Sequence, residues 1–163
     1  MLRSLLHPAR WLPVQSAEAH CDIPCGIYDP IVAKIAAQTV QKMTLRIQNL
    51  PQPGANDTPQ QRQDRENKLA RYTQVKEEHA TLCKRELDIL WHDYFNPTHL
   101  QRFPDVHNTF WQAAKLASKC KQEVNMDAAK QLVGDVDKIS ETFWATKGVT
   151  NWKDTVAEVR FGT

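Results

Sequence analysis

Apolar residues recur at spacings of three and four along most of this chain, and no segment sustains the alternation of a half-buried strand. A chain patterned this way buries one stripe per helix and has no face to offer a sheet. Asp29-Pro30 pairs a capping residue with proline at the first helical position, and so opens a first helix. Its stripe is Val32, Ile35, Ala36, Thr39, Val40, Met43 and Ile47, running to about Asn49. Leu50 to Asp57 is dense in breakers and reads as a loop. The second stripe is Leu69, Tyr72, Val75, His79, Cys83, Leu87, Leu90 and Tyr94, ended by Asn96-Pro97. After a loop through Phe103-Pro104, Asp105 is predicted to cap a third helix with Val106, Phe110, Ala113, Ala117, Cys120 and Val124 inward. Asn125 or Asp127 caps a fourth, with Ala129, Leu132, Val136, Ile139 and Phe143 inward and Gly148 closing it. Four such helices with short connections predict an all-α, antiparallel four-helix bundle.

The chain's 163 residues suit one domain, with 41% hydrophobic and 25% charged residues. Twenty-one Lys and Arg against 19 Asp and Glu leave +2, too balanced for nucleic acid or an anionic membrane as the main partner. No uncharged apolar run reaches the ~18 residues of a membrane helix. No glycine-rich phosphate loop and no Glu-x-x-His pair is present, which argues against nucleotide and di-iron chemistry. Residues 1–19 differ from the rest. Pro8, Arg10 and Pro13 interrupt the continuous apolar core that a secretory signal needs, while Ala17-Glu18-Ala19 has the small-x-small form of a processing site. Residues 1–19 are therefore predicted to be a pro-segment removed by a processing protease, in a protein that stays in the cytoplasm.

The segment from His20 to Pro30 carries the chemistry. Two thiols and an imidazole lie within six residues, at Cys21, Cys25 and His20, and Pro24 and Gly26 permit the backbone to curl around them. Cleavage before His20 adds a free α-amine. That amine, the amide between His20 and Cys21 and the two thiolates fill a square plane, the geometry diagnostic of Ni(II) or Cu(II), with the imidazole left as an axial ligand. Zinc prefers a closed tetrahedron and suits this donor set less well.

The same residues resemble the nickel-binding hook of nickel superoxide dismutases, H-C-D-x-P-C-G-x-Y-D-P, with every fixed position matched. Leu90-Trp91-His92-Asp93-Tyr94-Phe95-Asn96-Pro97 is similar to that family's stretch ending the second helix, and Phe143-Trp144-Ala145-Thr146-Lys147 to its C-terminal end. The resemblance implies a hook over residues 20–29, a bundle over 30–147, an unmatched extension over 148–163 and six subunits in a hollow shell. It further implies that nickel cycles between Ni(II) and Ni(III) to disproportionate superoxide to O2 and H2O2. His20 would give amine and imidazole, Cys21 amide and thiolate, and Cys25 the second thiolate. Asp22 and Tyr28 would order the hook and its waters, with Tyr28 and Tyr94 lining the approach of superoxide. A cis Ile23-Pro24 bond is also implied. Ala36 and His79 stand where family members carry a glutamate and an arginine supporting the imidazole, and Asn96 stands where some carry a lysine.

Rival readings are a non-enzymatic helical nickel or copper carrier and a thiol redox switch using Cys21 and Cys25. His79 reads first as a histidine satisfied within the core and second as substitute support for His20. Cys83 and Cys120 read first as core thiols, then as a helix-pinning disulfide or metal ligands. Trp91, Trp111 and Trp144 read as core or subunit contacts, and His92, His99 and His107 as surface or loop residues. The charge-alternating run Arg62 to Arg71 reads as a solvated helix face.

Overall fold

A computed structural model describes residues 26–151; His20, Cys21, Asp22, Cys25, the Ile23-Pro24 bond and most of the C-terminal extension lie outside the described residues. The described chain is helical, with α1 over Ile31–Gln48, α2 over Pro59–Ile89, a π-helical turn over Leu90–Tyr94, α3 over Pro97–Arg102, α4 over Val106–Gln122 and α5 over Met126–Thr146. α1 packs on α2 and α5, and α4 packs on the same two helices from the other side. The four long helices thus close a ring around one core. Side-chain pairs fix two of the directions. Arg46 near the end of α1 lies over the Tyr72 ring at 5.6 Å while Tyr28 just before α1 meets Tyr94, so α1 and α2 are antiparallel. Lys76 on α2 meets the end of α4 while Trp91 meets its start, so α2 and α4 are too.

Local chemistry sets the ends. The Ile31 N–H donates to Asp29 Oδ1 at 2.8 Å, so Asp29 caps α1 as predicted. Thr58 and Gln61 form a reciprocal capping box ahead of α2, with Pro59 at its first position. Asn125, not Asp127, caps α5 by accepting from the Ala128 N–H at 3.0 Å. Asp105 stands at the start of α4, but its side chain makes no capping bond; its carbonyl accepts from the Thr109 N–H. At the C-terminus of α5, Gly148 adopts φ +75°, and the amides of Gly148 and Val149 return to the carbonyls of Ala145 and Trp144. This is a Schellman closure, and the left-handed angle is why glycine stands there.

Other expectations need correction. The segment after Asn96 is not all loop. Asn96 Oδ1 accepts from the amides of Thr98 and His99, so the Asn96-Pro97 pair that ends one helix starts the short α3. The inward face of α1 is Ala33, Ala36, Ala37, Val40 and Thr44, whereas Val32 and Ile35 are 39% and 48% exposed. α1 touches two helices at once, and small residues let both approach. On α2 the buried line at mid-helix runs through Lys76, Ala80 and Cys83, one position off the Val75–His79 line read from apolar spacing. The stripes of α4 and α5 are inward as predicted, except that Val124 lies past the end of α4 and is exposed.

Candidate active site

The end of the bundle where α1 begins, α2 finishes and α5 terminates brings together residues far apart in sequence. Gly26 takes φ +73° just before Tyr28. A Cβ there would meet nothing within 4 Å, so the backbone angle alone calls for glycine. Tyr28 is half-buried, and its ring lies 5.6 Å from that of Tyr94, tilted by 56°. Tyr94 is the last residue of the π-helical turn, where the Phe95 N–H reaches back five residues to the Leu90 carbonyl. The extra residue in that turn re-aims the side chains beyond it, a device often found at functional sites.

Tyr94 is held on several sides. Its ring lies 4.5 Å from Phe143, and Phe95 meets it edge-on at 5.2 Å. His99, on the first turn of α3, stacks on it at 5.4 Å with 27° between the planes. The Tyr94 hydroxyl is hydrogen-bonded to Thr146 Oγ1 at the end of α5. Lys147 places its ammonium 5.2 Å from the Tyr94 centroid and 5.1 Å from that of Phe143. A cation at that distance is attracted by the ring's quadrupole. His99 Nδ1 and Trp144 Nε1 are buried nearby without a hydrogen-bond partner among the described residues.

The structure therefore brings Tyr28 and Tyr94 together and leaves His79 apart. His79 precedes Tyr94 by fifteen residues on one continuous helical rod, roughly 22 Å at 1.5 Å per residue. His79 is half-buried, and its Nδ1 donates to the Val75 carbonyl at 2.9 Å. Ala36 is wholly buried, so that position offers no polar group. Asn96 is engaged in capping α3, and the cation beside Tyr94 comes instead from Lys147.

Spacing alone points to neither His99 nor Thr146 as part of this cluster. For His99 a signal is present: Asn96-Pro97 starts a helix, and a first turn folds His99 back onto Tyr94. The other two histidines are peripheral, with His92 exposed and bonded to the Asp88 carbonyl and His107 lying 4.9 Å from Trp91. Trp91 and Trp144 pack on the core, while Trp111 is 53% exposed.

Cys83 and Cys120 are buried and free, as core thiols should be. Burial pushes the Cys83 thiol up to about 12, with Cys120 and Glu86 adding to the rise. Burial also raises Cys120. Thiols held protonated in this way are poor metal ligands. Among the described residues no group of three or more His, Cys, Asp or Glu could hold a metal ion. No helix among them is long and apolar enough to cross a membrane.

Residues 15–147 match the family described as nickel-containing superoxide dismutase. The chain is 34% identical over 135 residues to the superoxide dismutase [Ni] of Streptomyces seoulensis, spanning 83% of this chain and 93% of that protein. The Streptomyces coelicolor protein of the same name is 31% identical over the same shares. Among solved structures, a Ni-containing superoxide dismutase with nickel ligation of the oxidized state superposes with a TM-score of 0.66 at 33% identity, covering 80% of this chain and 100% of that one. The native nickel superoxide dismutase structure gives 0.65 at 31%, with the same coverage. With the helical bundle, the hook motif and these matches in agreement, the chain belongs to the nickel-containing superoxide dismutase family.

Proposed function

We propose that this chain is a nickel-dependent superoxide dismutase whose metal is held by His20, Cys21 and Cys25, immediately upstream of the Tyr28–Tyr94 pair. The observation that carries the reading is that pairing. Tyr28 follows Cys25 by three residues, so the hook's own chain leads directly into an aromatic pair fixed by the end of α5. The donor chemistry supports it too. Of the four cysteines, the two in the bundle are buried and held protonated, which leaves Cys21 and Cys25 as the pair able to act as thiolates. Bound there, nickel would supply the one-electron redox chemistry that turns two superoxide ions and two protons into O2 and H2O2.

The protein's own groups do the rest. Tyr28 and Tyr94 line the approach, and Asp22 orders the hook. The Lys147 ammonium is the positive charge on the Tyr94 side, suited to attract a small anion. His79, with Nδ1–H donating to Val75, presents Nε2 as an acceptor when neutral. An imidazole that ligates through one nitrogen carries its proton on the other, so His79 is suited to receive that proton from His20. A hook curled around its metal at the Tyr28–Tyr94 pair does not span the roughly 22 Å from Tyr94 to His79 within one chain, so the proposal assigns this contact to the His79 of a second copy in the homohexamer.

Removal of residues 1–19 by a protease is part of the proposal, because an uncut chain has an amide where the amine ligand belongs. So are a cytoplasmic setting and a homohexamer. Exposed Ile27, Val32 and Ile35 at the start of α1 give copies of the chain an apolar face to share.

The test is metal-specific activity. Protein beginning at His20 is loaded in parallel with Ni(II), Cu(II) or Zn(II), and superoxide decay is followed per bound metal. Turnover with nickel alone supports the proposal; equal turnover with copper, or activity without metal, overturns it.

A further inference from the structure

Backbone geometry fixes the direction of one hydrogen bond in the Tyr28–Tyr94 cluster. Thr146 Oγ1 lies 2.6 Å from the carbonyl oxygen of Phe143, and a carbonyl can only accept. The single hydroxyl proton of Thr146 is therefore committed to Phe143. The same Oγ1 is hydrogen-bonded to the Tyr94 hydroxyl, and with its own proton spent it can only accept there. So Tyr94 donates to Thr146, and the phenol's one proton points to the end of α5.

We infer that Thr146 is a positioning residue, turning the Tyr94 hydroxyl so that it offers the site lone pairs and no proton. Superoxide carries only acceptor atoms and gains nothing from such a group. Water and hydrogen peroxide both carry protons and do. Tyr94, so oriented, holds a water or the departing peroxide, and anion capture falls to Lys147 and other donors. The ring cannot easily turn away from this arrangement, because His99 stacks on it and Phe143 and Phe95 pack against it. The inference rests on the dismutase reading for its chemistry, but the hydrogen bond itself does not.

The test uses Thr146→Val, which keeps the shape and removes the acceptor, and Thr146→Ser, which restores it. In nickel-free protein, 13C-labelled tyrosine reports exchange of each phenol proton with water. Only three tyrosines are present, so Tyr94→Phe assigns the signal. The Tyr94 proton is expected to exchange at least about tenfold faster in Thr146→Val and at the wild-type rate in Thr146→Ser. In nickel-loaded protein, Thr146→Val is expected to lower turnover per nickel about fivefold, the scale of one hydrogen bond, with nickel content and melting temperature retained. Thr146→Ser restores turnover, and Thr146→Val adds no further loss on a Tyr94→Phe background. Unchanged proton exchange in Thr146→Val overturns the inference. So does a loss that Thr146→Ser fails to rescue or that persists without the Tyr94 hydroxyl. Wild-type protein that binds nickel but leaves superoxide untouched overturns the dismutase reading and the catalytic part of this role, whatever the proton exchange reports.

Discussion

Lys76 is the strongest test of how the bundle is held together. It is 1% exposed, an unusual place for an ammonium, and its Nζ donates to the carbonyls of Cys120, Lys121 and Glu123 at the end of α4. A helix leaves its last four carbonyls without partners, and its C-terminus favours a cation. Lys76 supplies both from a neighbouring helix. Replacing it by methionine keeps the stem and removes the donor. The carbonyls of Lys121 and Glu123 lie on exposed residues and recover water. Cys120 is 1% exposed, so its carbonyl stays dry, a penalty of about 1–3 kcal/mol. The lost cation at the helix end adds about 0.3–1 kcal/mol. Opposing these, removing the ammonium relieves its desolvation, which already pulls Lys76 below the ordinary lysine range. We expect the bonds to win, giving a net loss of about 2 kcal/mol and a melting temperature lower by about 4–8 °C. Lys76→Gln, with two donors on a shorter stem, falls between. The assay is thermal and urea unfolding of nickel-free protein at one protein concentration, since subunit association alone shifts apparent stability. Lys76→Met as stable as wild type, or more so, would refute the reasoning by showing that desolvation outweighs the three carbonyls.

Other outcomes are expected from the same structure. His79→Ala is expected to lower turnover per nickel about tenfold with nickel content near wild type, whereas a purely structural histidine would lower the melting temperature and leave turnover per nickel unchanged. Uncleaved protein carrying residues 1–19 is expected to dismute no superoxide until a protease exposes the His20 amine; activity in a chain shown by mass spectrometry to be intact would sink the chelate argument. Cys83 has a folded pKa of about 12 against 9.0 for an ordinary thiol. Stability is therefore unaffected by this thiol below pH 9 and falls above it, by up to about 1.4 kcal/mol per pH unit, as the unfolded chain loses the proton that the folded chain keeps. Lys76 acts with the opposite sign on the way to 10.5, so the thiol's share is read as the shallower alkaline slope of Cys83→Ala.

Features built from neighbouring residues are legible along the chain, and features built across helices are not. The proposed donors fall between His20 and Cys25, so reading them as a metal-binding set needs no fold. The α4 and α5 stripes are legible because each helix buries a single continuous line. On α1 the stripe misleads, because apolar and small residues both recur at helical spacing, and only the presence of two packing partners decides which set goes inside. Lys76 is invisible to an apolar pattern, since the feature that buries it is a row of carbonyls on another helix. The Tyr94 cluster is only partly legible. Tyr28 and Tyr94 come from the motif resemblance, but Thr146 lies 52 residues beyond Tyr94, and no local signal joins them. The π-helical turn that orients Tyr94 has no spacing signature at all.

Whether the hook holds a catalytic nickel is decided by comparing protein beginning at His20 with its Cys25→Ser variant, measuring nickel per chain and superoxide dismutation in the same samples. One nickel per chain and activity proportional to nickel are expected in the unmodified protein. Cys25→Ser is expected to lose both, while keeping its helical content because position 25 precedes the first helix in the sequence. Full nickel occupancy with undiminished dismutation in Cys25→Ser would contradict a nickel centre built on this thiolate.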